Sequence, residues 1–262
     1  MKESLIKCIF TYDNNCEILV PEEGFFYKDM NYCEIFMKRV NHEVNFRNIV
    51  NLLIKEKIIQ GNIIDLGSWI GDNSIPWSKN INSTVYAIDP SPENCNFINK
   101  LSEINDIKNI KILTEVITDR EKIVSTNDSL WHASFQSNNL GENKITSTSL
   151  DILYRNSIIE NVDFIHLDVE GMERLVIEGS KNIIDDFNPV IIFEQHISWE
   201  DYIGLSNILK SKRYRVFLIN EILPGCMPDC RNILALPDKE NCDDIIKLIN
   251  NETQNNSLLS EI

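Results

Sequence analysis

The chain has 262 residues, 43% of them apolar, and a formal net charge of −15, which supplies enough apolar sequence for one full α/β core. Such a charge repels a phosphate backbone or an anionic membrane, and Lys and Arg are scattered without a basic patch, so no nucleic-acid partner is expected. No apolar stretch of about 18 residues occurs, Met1 to Leu5 lacks a signal-peptide succession, and the seven Cys show no paired CxxC spacing; a cytoplasmic protein with reduced thiols and no membrane insertion is expected.

In chain order, the first 44 residues carry short mixed segments punctuated by Pro21 and Gly24, suited to packing or to part of a substrate lid. From Asn45, the residues Phe46, Ile49, Val50, Leu53 and Ile54 recur at helical spacing up to Gly61 and predict a helix covering one sheet face. Strand-like apolar runs then alternate with helical patterns, the signature of βαβ units and a mainly parallel sheet. The predicted strands are Asn62–Leu66, Thr84–Ile88, Ile110–Ile117, Asp163–Leu167, Val190–Glu194, Tyr214–Ile219 and one near Ile233–Leu236. The predicted helices are Gly71–Lys79, Pro92–Ser102, Leu150–Asn156, Met172–Asp186 and Trp199–Lys210, with Ser91 and Ser198 as caps. The polar segment Asp119–Thr148, around Leu130-Trp131-His132 and Phe135, reads as an insertion on the substrate side. The expected division is a mixed, partly helical extension over 1–60, a catalytic domain over 61–240 and a polar tail over 241–262 with a short helix near Ile245.

In an open parallel sheet, ligands bind beyond the carboxyl ends of the strands, near the point where strand order reverses. After the first core strand, Asp65-Leu66-Gly67-Ser68-Trp69-Ile70-Gly71-Asp72 gives a tight turn with GxxxG spacing. A dinucleotide cradle wants GxGxxG, which weighs against a nicotinamide-dependent oxidoreductase. A nucleoside with a sulfonium and an amino-acid tail needs fewer glycines and is suited to acidic neighbours such as Asp65 and Asp72. Asp89-Pro90 ends the second core strand, where an acid grips a ribose diol or caps the following helix. Asp168 and Glu170 follow the fourth, with His166 on the face of Asp168; Glu194 and His196 share a face at the end of the fifth. These groups can bind a polar substrate and take a proton from its hydroxyl. Glu170 also suits a helix cap, and His166 a buried, satisfied histidine. Cys226 and Cys230 bracket a Pro-containing turn, but two ligands do not make a metal site.

The runs Ile63-Ile64-Asp65-Leu66-Gly67 through Gly71-Asp72, Tyr86 to Asn94, Thr148-Ser149-Leu150-Asp151, Val162 to Gly171, Pro189 to Glu194 and Cys230 to Ala235 together resemble the FkbM-type methyltransferases, over roughly Gly61 to Leu236. Asp89 stands where Glu is commoner in that family, and His166 where Lys or another polar residue is frequent. The resemblance implies a Rossmann-like, doubly wound, mainly parallel seven-stranded α/β sheet with helices on both faces. It implies S-adenosyl-L-methionine as donor and O-methylation of a hydroxyl on a sugar, glycan or related small molecule. The expected donor site is Asp65, Gly67, Gly71, Asp72, Asp89 and Pro90, and the expected catalytic group is Asp168, His196, Glu194 and Glu170. Asp168 and Glu194 would hold Mg²⁺ if the reaction uses one. The rival readings are the oxidoreductase and a non-catalytic nucleoside-binding protein; oligomeric state does not follow from the sequence.

Overall fold

The computed structural model describes residues 4–10, 16–22, 26–27, 30–126, 143–197, 201–221, 229–253 and 257–262. The N-terminal segment forms an antiparallel pair, β1 (Leu5–Ile9) and β2 (Glu17–Pro21), a short pair, β3 (Phe26–Tyr27) and β4 (Met30–Asn31), and helix α1 (Tyr32–Arg39). There follow α2 (Val44–Lys55), β5 (Asn62–Leu66), α3 (Ser74–Asn80), β6 (Val85–Ile88), α4 (Pro92–Ile104), β7 (Ile110–Leu113), β8 (Val116–Ile117), β9 (Lys122–Thr126) and β10 (Asn143–Thr148). The chain continues through α5 (Leu150–Arg155), β11 (Val162–Leu167), α6 (Glu173–Glu178), α7 (Lys181–Phe187), β12 (Val190–His196) and α8 (Tyr202–Ser211). It closes with β13 (Tyr214–Ile219), β14 (Cys230–Pro237), α9 (Cys242–Thr253) and β15 (Leu259–Glu261).

The central sheet runs β15-β13-β14-β12-β11-β5-β6-β7. The five strands β7, β6, β5, β11 and β12 are parallel, whereas β14 runs antiparallel to both β12 and β13. The sheet is therefore mixed, and β15, from the tail expected to be polar, pairs with β13 as an eighth strand. Strand order reverses between β5 and β11, which opens the crevice that positions the site.

Residues of β5 and β11 are buried on both faces, which is why these strands read as continuous apolar runs. One face packs against α5 to α8 through Leu150, Leu153, Val176, Ile183, Leu205 and Leu209. The other face carries α2, α3 and α9 through Phe46, Leu53, Trp77, Ile245 and Ile249. The N-terminal strands and α1 share a further cluster with α3 and α4, joining Phe10, Phe36, Ile75 and Phe97.

Two expectations are corrected. The strand expected over 110–117 divides, because β8 leaves the central sheet to pair parallel with β10. At the described ends of the expected insertion β9 and β10 pair antiparallel; Trp131, His132 and Phe135 lie outside the described residues. The single helix expected over 172–186 breaks into α6 and α7 at Gly179, where a Cβ would lie 2.2 Å from the Thr118 carbonyl oxygen, so only glycine lets the chain pass. Ser91 caps α4 as expected, accepting from the Asn94 amide, while α8 is capped by Asp201; Ser198 lies outside the described residues.

Candidate active site

The turn after β5 is forced by close approach. Gly67 has φ 77°, and a Cβ there would sit 1.8 Å from the Asp168 carbonyl oxygen, so the ends of β5 and β11 meet with no room for a side chain. Gly71 instead faces the aliphatic side chains of Ile98 and Ile75 and lets α3 pack on α4. Asp65 is wholly buried. One of its oxygens meets His166 Nδ1 at 2.8 Å, and the other accepts from the Ser74 hydroxyl at the start of α3. His166 stacks on Phe46 with ring centres 4.9 Å apart and is the satisfied, buried histidine rather than a group open to substrate. Asp65 thus ties the turn to the neighbouring strand. Two buried polar atoms of the same turn, Ser68 Oγ and Asn73 Oδ1, have no hydrogen-bond partner among the described residues, an arrangement proteins rarely leave without a ligand or water.

Asp89 ends β6 with its carboxylate buried and wired to backbone and side-chain donors. Oδ2 accepts from the Trp69 amide at 2.9 Å, and Oδ1 accepts from the Ser91 amide at 2.8 Å and Asn94 Nδ2 at 3.0 Å. Asn94 is held in turn by the Tyr32 hydroxyl at 3.1 Å. Burial outweighs these bonds and pushes the Asp89 carboxyl up to about 6. A carboxylate has about four acceptor positions, so room for a further donor remains. Pro90, half-buried, follows directly.

Asp72, expected beside the donor, instead closes an ion-pair network with the N-terminal segment. Arg39 Nε reaches it at 2.7 Å, and the wholly buried Arg47 also pairs with it. Glu43 pairs with Arg39 and accepts from Asn232 Nδ2 at 3.0 Å. Burial alone would raise the Asp72 carboxyl, but the two guanidinium groups outweigh it and hold it far below the usual carboxylate range. Arg39 also lies over the Trp69 ring, 5.7 Å from its centre. The segment expected as an extension therefore reaches into the glycine turn after β5. Its signal in the sequence was the i, i+4, i+8 spacing of Arg39, Glu43 and Arg47.

Across the switch point, Asp168 sits within the influence of several carboxylates. Burial, then Glu194, Glu170 and Glu43, raise its carboxyl well above the usual range, opposed by Arg39. The turn after β11 is held by Glu173, a buried residue that sequence reasoning missed. Its Oε1 accepts from the Val169 and Gly171 amides at 3.1 and 3.3 Å, and its Oε2 from Gln195 Nε2 at 3.1 Å. Glu170 is exposed, with φ 52°. Glu194 and His196 share a face of β12 as expected, and His196 Nδ1 lies 3.5 Å from Asp229. The buried Cys230 thiol donates to Glu194. The structure thus gathers Asp168, Glu170, Glu194 and His196 at one edge, places Gly67 and Asp89 opposite them, and turns Asp65 and Asp72 to internal partners.

A five-stranded parallel core extended by an antiparallel β14 between β12 and β13, with helices on both faces and a glycine turn after its first strand, is the fold of a class I methyltransferase. The family model for the methyltransferase FkbM domain matches residues 70–216, and the chain belongs to that family. Its fold is similar to the crystal structure of methyltransferase FkbM from Methylobacillus flagellatus KT, with TM-score 0.50 and 16% identity over 67% of this chain and 43% of that one. The present chain thus spans less than half of that relative. It is also similar to a rRNA methylase from Streptococcus thermophilus (TM-score 0.46, 10% identity, 72% and 95% covered). A third similar structure is the tRNA (uracil-54, C5)-methyltransferase of Pyrococcus abyssi (TM-score 0.42, 16% identity, 90% and 44% covered). Comparison with curated proteins gives no match.

The expectation that nucleic acid is no partner does not stand: a net charge summed over the chain does not describe the local surface an RNA would meet. Among the described residues no helix is long and apolar enough to cross a membrane.

Proposed function

We propose that this chain transfers a methyl group from S-adenosyl-L-methionine to a hydroxyl of a sugar, glycan or related small molecule. The observation that carries the reading is the facing pair at the switch point. On one side lie the buried Asp89 carboxylate and the unpartnered Ser68 and Asn73 oxygens; on the other lies the carboxylate group around Asp168. The donor, when bound, supplies an electrophilic methyl on a sulfonium. Asp89 accepts from the ribose hydroxyls, Gly67 lets the backbone lie close, and Asp65 and Asp72 position the turn from behind. An alcohol is a poor nucleophile until its proton has a destination. Asp168, whose proton affinity is raised by burial and by Glu194 and Glu170, takes that proton. Glu170 and Glu194 accept from neighbouring hydroxyls and so favour a polyol over an apolar acceptor.

The ribose hydroxyl of RNA offers the same reacting group, so the acceptor screen includes RNA beside sugars. A thiol and an imidazole adjoin Glu194, a poor setting for Mg²⁺, which prefers all-oxygen ligands. Cys8, Cys33, Cys95 and Cys242 are free thiols, in keeping with a cytoplasmic site of action.

The test is calorimetric titration with S-adenosylmethionine and S-adenosylhomocysteine. Wild type is expected to bind both, and Asp89→Ala to lose about tenfold in affinity, the worth of one hydrogen bond to a charged group. Failure of wild type to bind either nucleoside overturns the reading.

A further inference from the structure

Beside the proposed base lies a set of donors of mixed chemistry, two of which, His196 and Cys230, the proposed methyl transfer does not use. Glu194 and His196 project from β12, and Cys230 stands on β14 directly opposite His196 in the antiparallel register. A carboxylate oxygen, an imidazole nitrogen and the Cys230 sulfur lie within 4.8 Å of one another. Cys230 is wholly buried and its thiol donates to Glu194. Asp229 stands 3.5 Å from His196 Nδ1, the place of the outer carboxylate that orients a metal-bound imidazole.

Two features distinguish this set from an accidental polar cluster. The three groups come from adjacent, hydrogen-bonded strands, so the backbone fixes their spacing and only side-chain rotations are needed to close on an ion. Their chemistry is mixed: thiolate, imidazole and carboxylate together suit a borderline-soft ion, whereas Mg²⁺ and Ca²⁺ want oxygen alone. Cys226, the residue paired with Cys230 in the sequence, lies outside the described residues.

We propose that Glu194, His196 and Cys230 form a binding site for a divalent ion of the zinc class, with three protein ligands and a fourth position left for a water or substrate oxygen. On binding, the Cys230 sulfur–hydrogen bond breaks, the thiolate sulfur becomes a ligand, and the proton leaves to solvent. No redox step is involved. Catalytic zinc sites characteristically keep three protein ligands and one exchangeable position, and Glu194 connects this one to Asp168.

The site is read without donor or acceptor, so its outcome is independent of the methyl-transfer reading. The full chain, stripped with chelator, is titrated with Co²⁺ and then with Zn²⁺ against a chromophoric chelator. One ion per chain is expected, with a thiolate-to-cobalt charge-transfer band. Cys230→Ser should remove the band and weaken Zn²⁺ about 100-fold or more, and His196→Gln should weaken it about tenfold or more, at or beyond the roughly 10–100-fold range seen when only a group supporting a metal ligand is removed. Cys95→Ser, a buried thiol on α4, should change neither. Absence of saturable binding by wild type overturns the proposal. So does a band that survives Cys230→Ser, or one that is lost in Cys95→Ser while the fold, followed by circular dichroism, stays intact.

Discussion

Replacing Arg47 by Met removes a wholly buried charge while roughly keeping its length. In the wild type its guanidinium pairs with Asp72, lies 3.7 Å from Glu43 and donates to the Arg39 carbonyl at 3.0 Å. Its absence leaves two buried carboxylates sharing Arg39, with Asn232 donating to Glu43. Breaking a buried pair by removing one partner costs about 3–5 kcal/mol; because Arg39 remains, the low end, about 3 kcal/mol, is expected. For a chain of this size that is a fall of about 6–12 °C in Tm. Urea and thermal unfolding at neutral pH measure it. Repeating the change in an Asp72→Asn background, which removes most of the stranded charge, should shrink the cost by about 2 kcal/mol. A single-variant loss below about 1 kcal/mol, or an equal loss in both backgrounds, would refute the reasoning. The pH dependence has a definite sign. Asp72 is held lower in the fold than in the unfolded chain, so it adds stability above about pH 4 that is lost as pH falls toward its folded value. Asp72→Asn should flatten that part of the acid limb.

Gly67→Ala places a methyl 1.8 Å from the Asp168 carbonyl oxygen at φ 77°. The left-handed backbone alone costs a non-glycine residue about 1–2 kcal/mol, and the turn must also move, so both melting temperature and donor affinity should drop. Gly71→Ala, meeting side chains at 3.0 and 3.1 Å, should affect donor affinity less; a Gly67→Ala protein that melts and binds like wild type would dismiss the close-approach argument. Donor affinity should weaken as pH falls below about 6, where the Asp89 carboxylate takes up its proton, by up to about tenfold per pH unit. Titrations from pH 8 to 5 check this, and a flat profile would remove Asp89 from the ribose site. Since Asp89 lies higher in the fold than in the unfolded chain, the donor-free protein also loses stability at this group as pH rises from about 4 to about 6.

Much of this architecture was legible because strands buried on both faces declare themselves as apolar runs. Asn62–Leu66 and Tyr214–Ile219 begin and end where the sequence places them. Breaks set by tertiary contact were not legible. Nothing local in 172–186 announces that Thr118, far away in sequence, occupies the space beside Gly179. The site divided in the same way. Gly67 and Asp89 could be placed from strand ends alone, because the crevice is a property of the topology. Asp65 and Asp72 have the chemistry of ligand contacts, and only their partners, His166 and Ser74 for one, Arg39 and Arg47 for the other, show that they serve the turn from within. A carboxylate's role depends on which cation reaches it first, and sequence spacing does not record that.

The same consideration explains why the edge of the sheet carries so much negative charge. Asp168 lies under the combined field of Glu194, Glu170 and Glu43, opposed by Arg39, which is already engaged with Asp72 and Glu43. Like charges gathered in a buried cleft cost stability unless a cation or a proton answers them. One answer is the raised affinity of the Asp168 carboxylate for a proton. Under the proposed function a sulfonium is a second answer, and one that vanishes with the reaction, because the thioether product carries no charge at sulfur. The cluster therefore favours donor over product at the same position, and one set of carboxylates both attracts the reactant and weakens the hold on what it becomes.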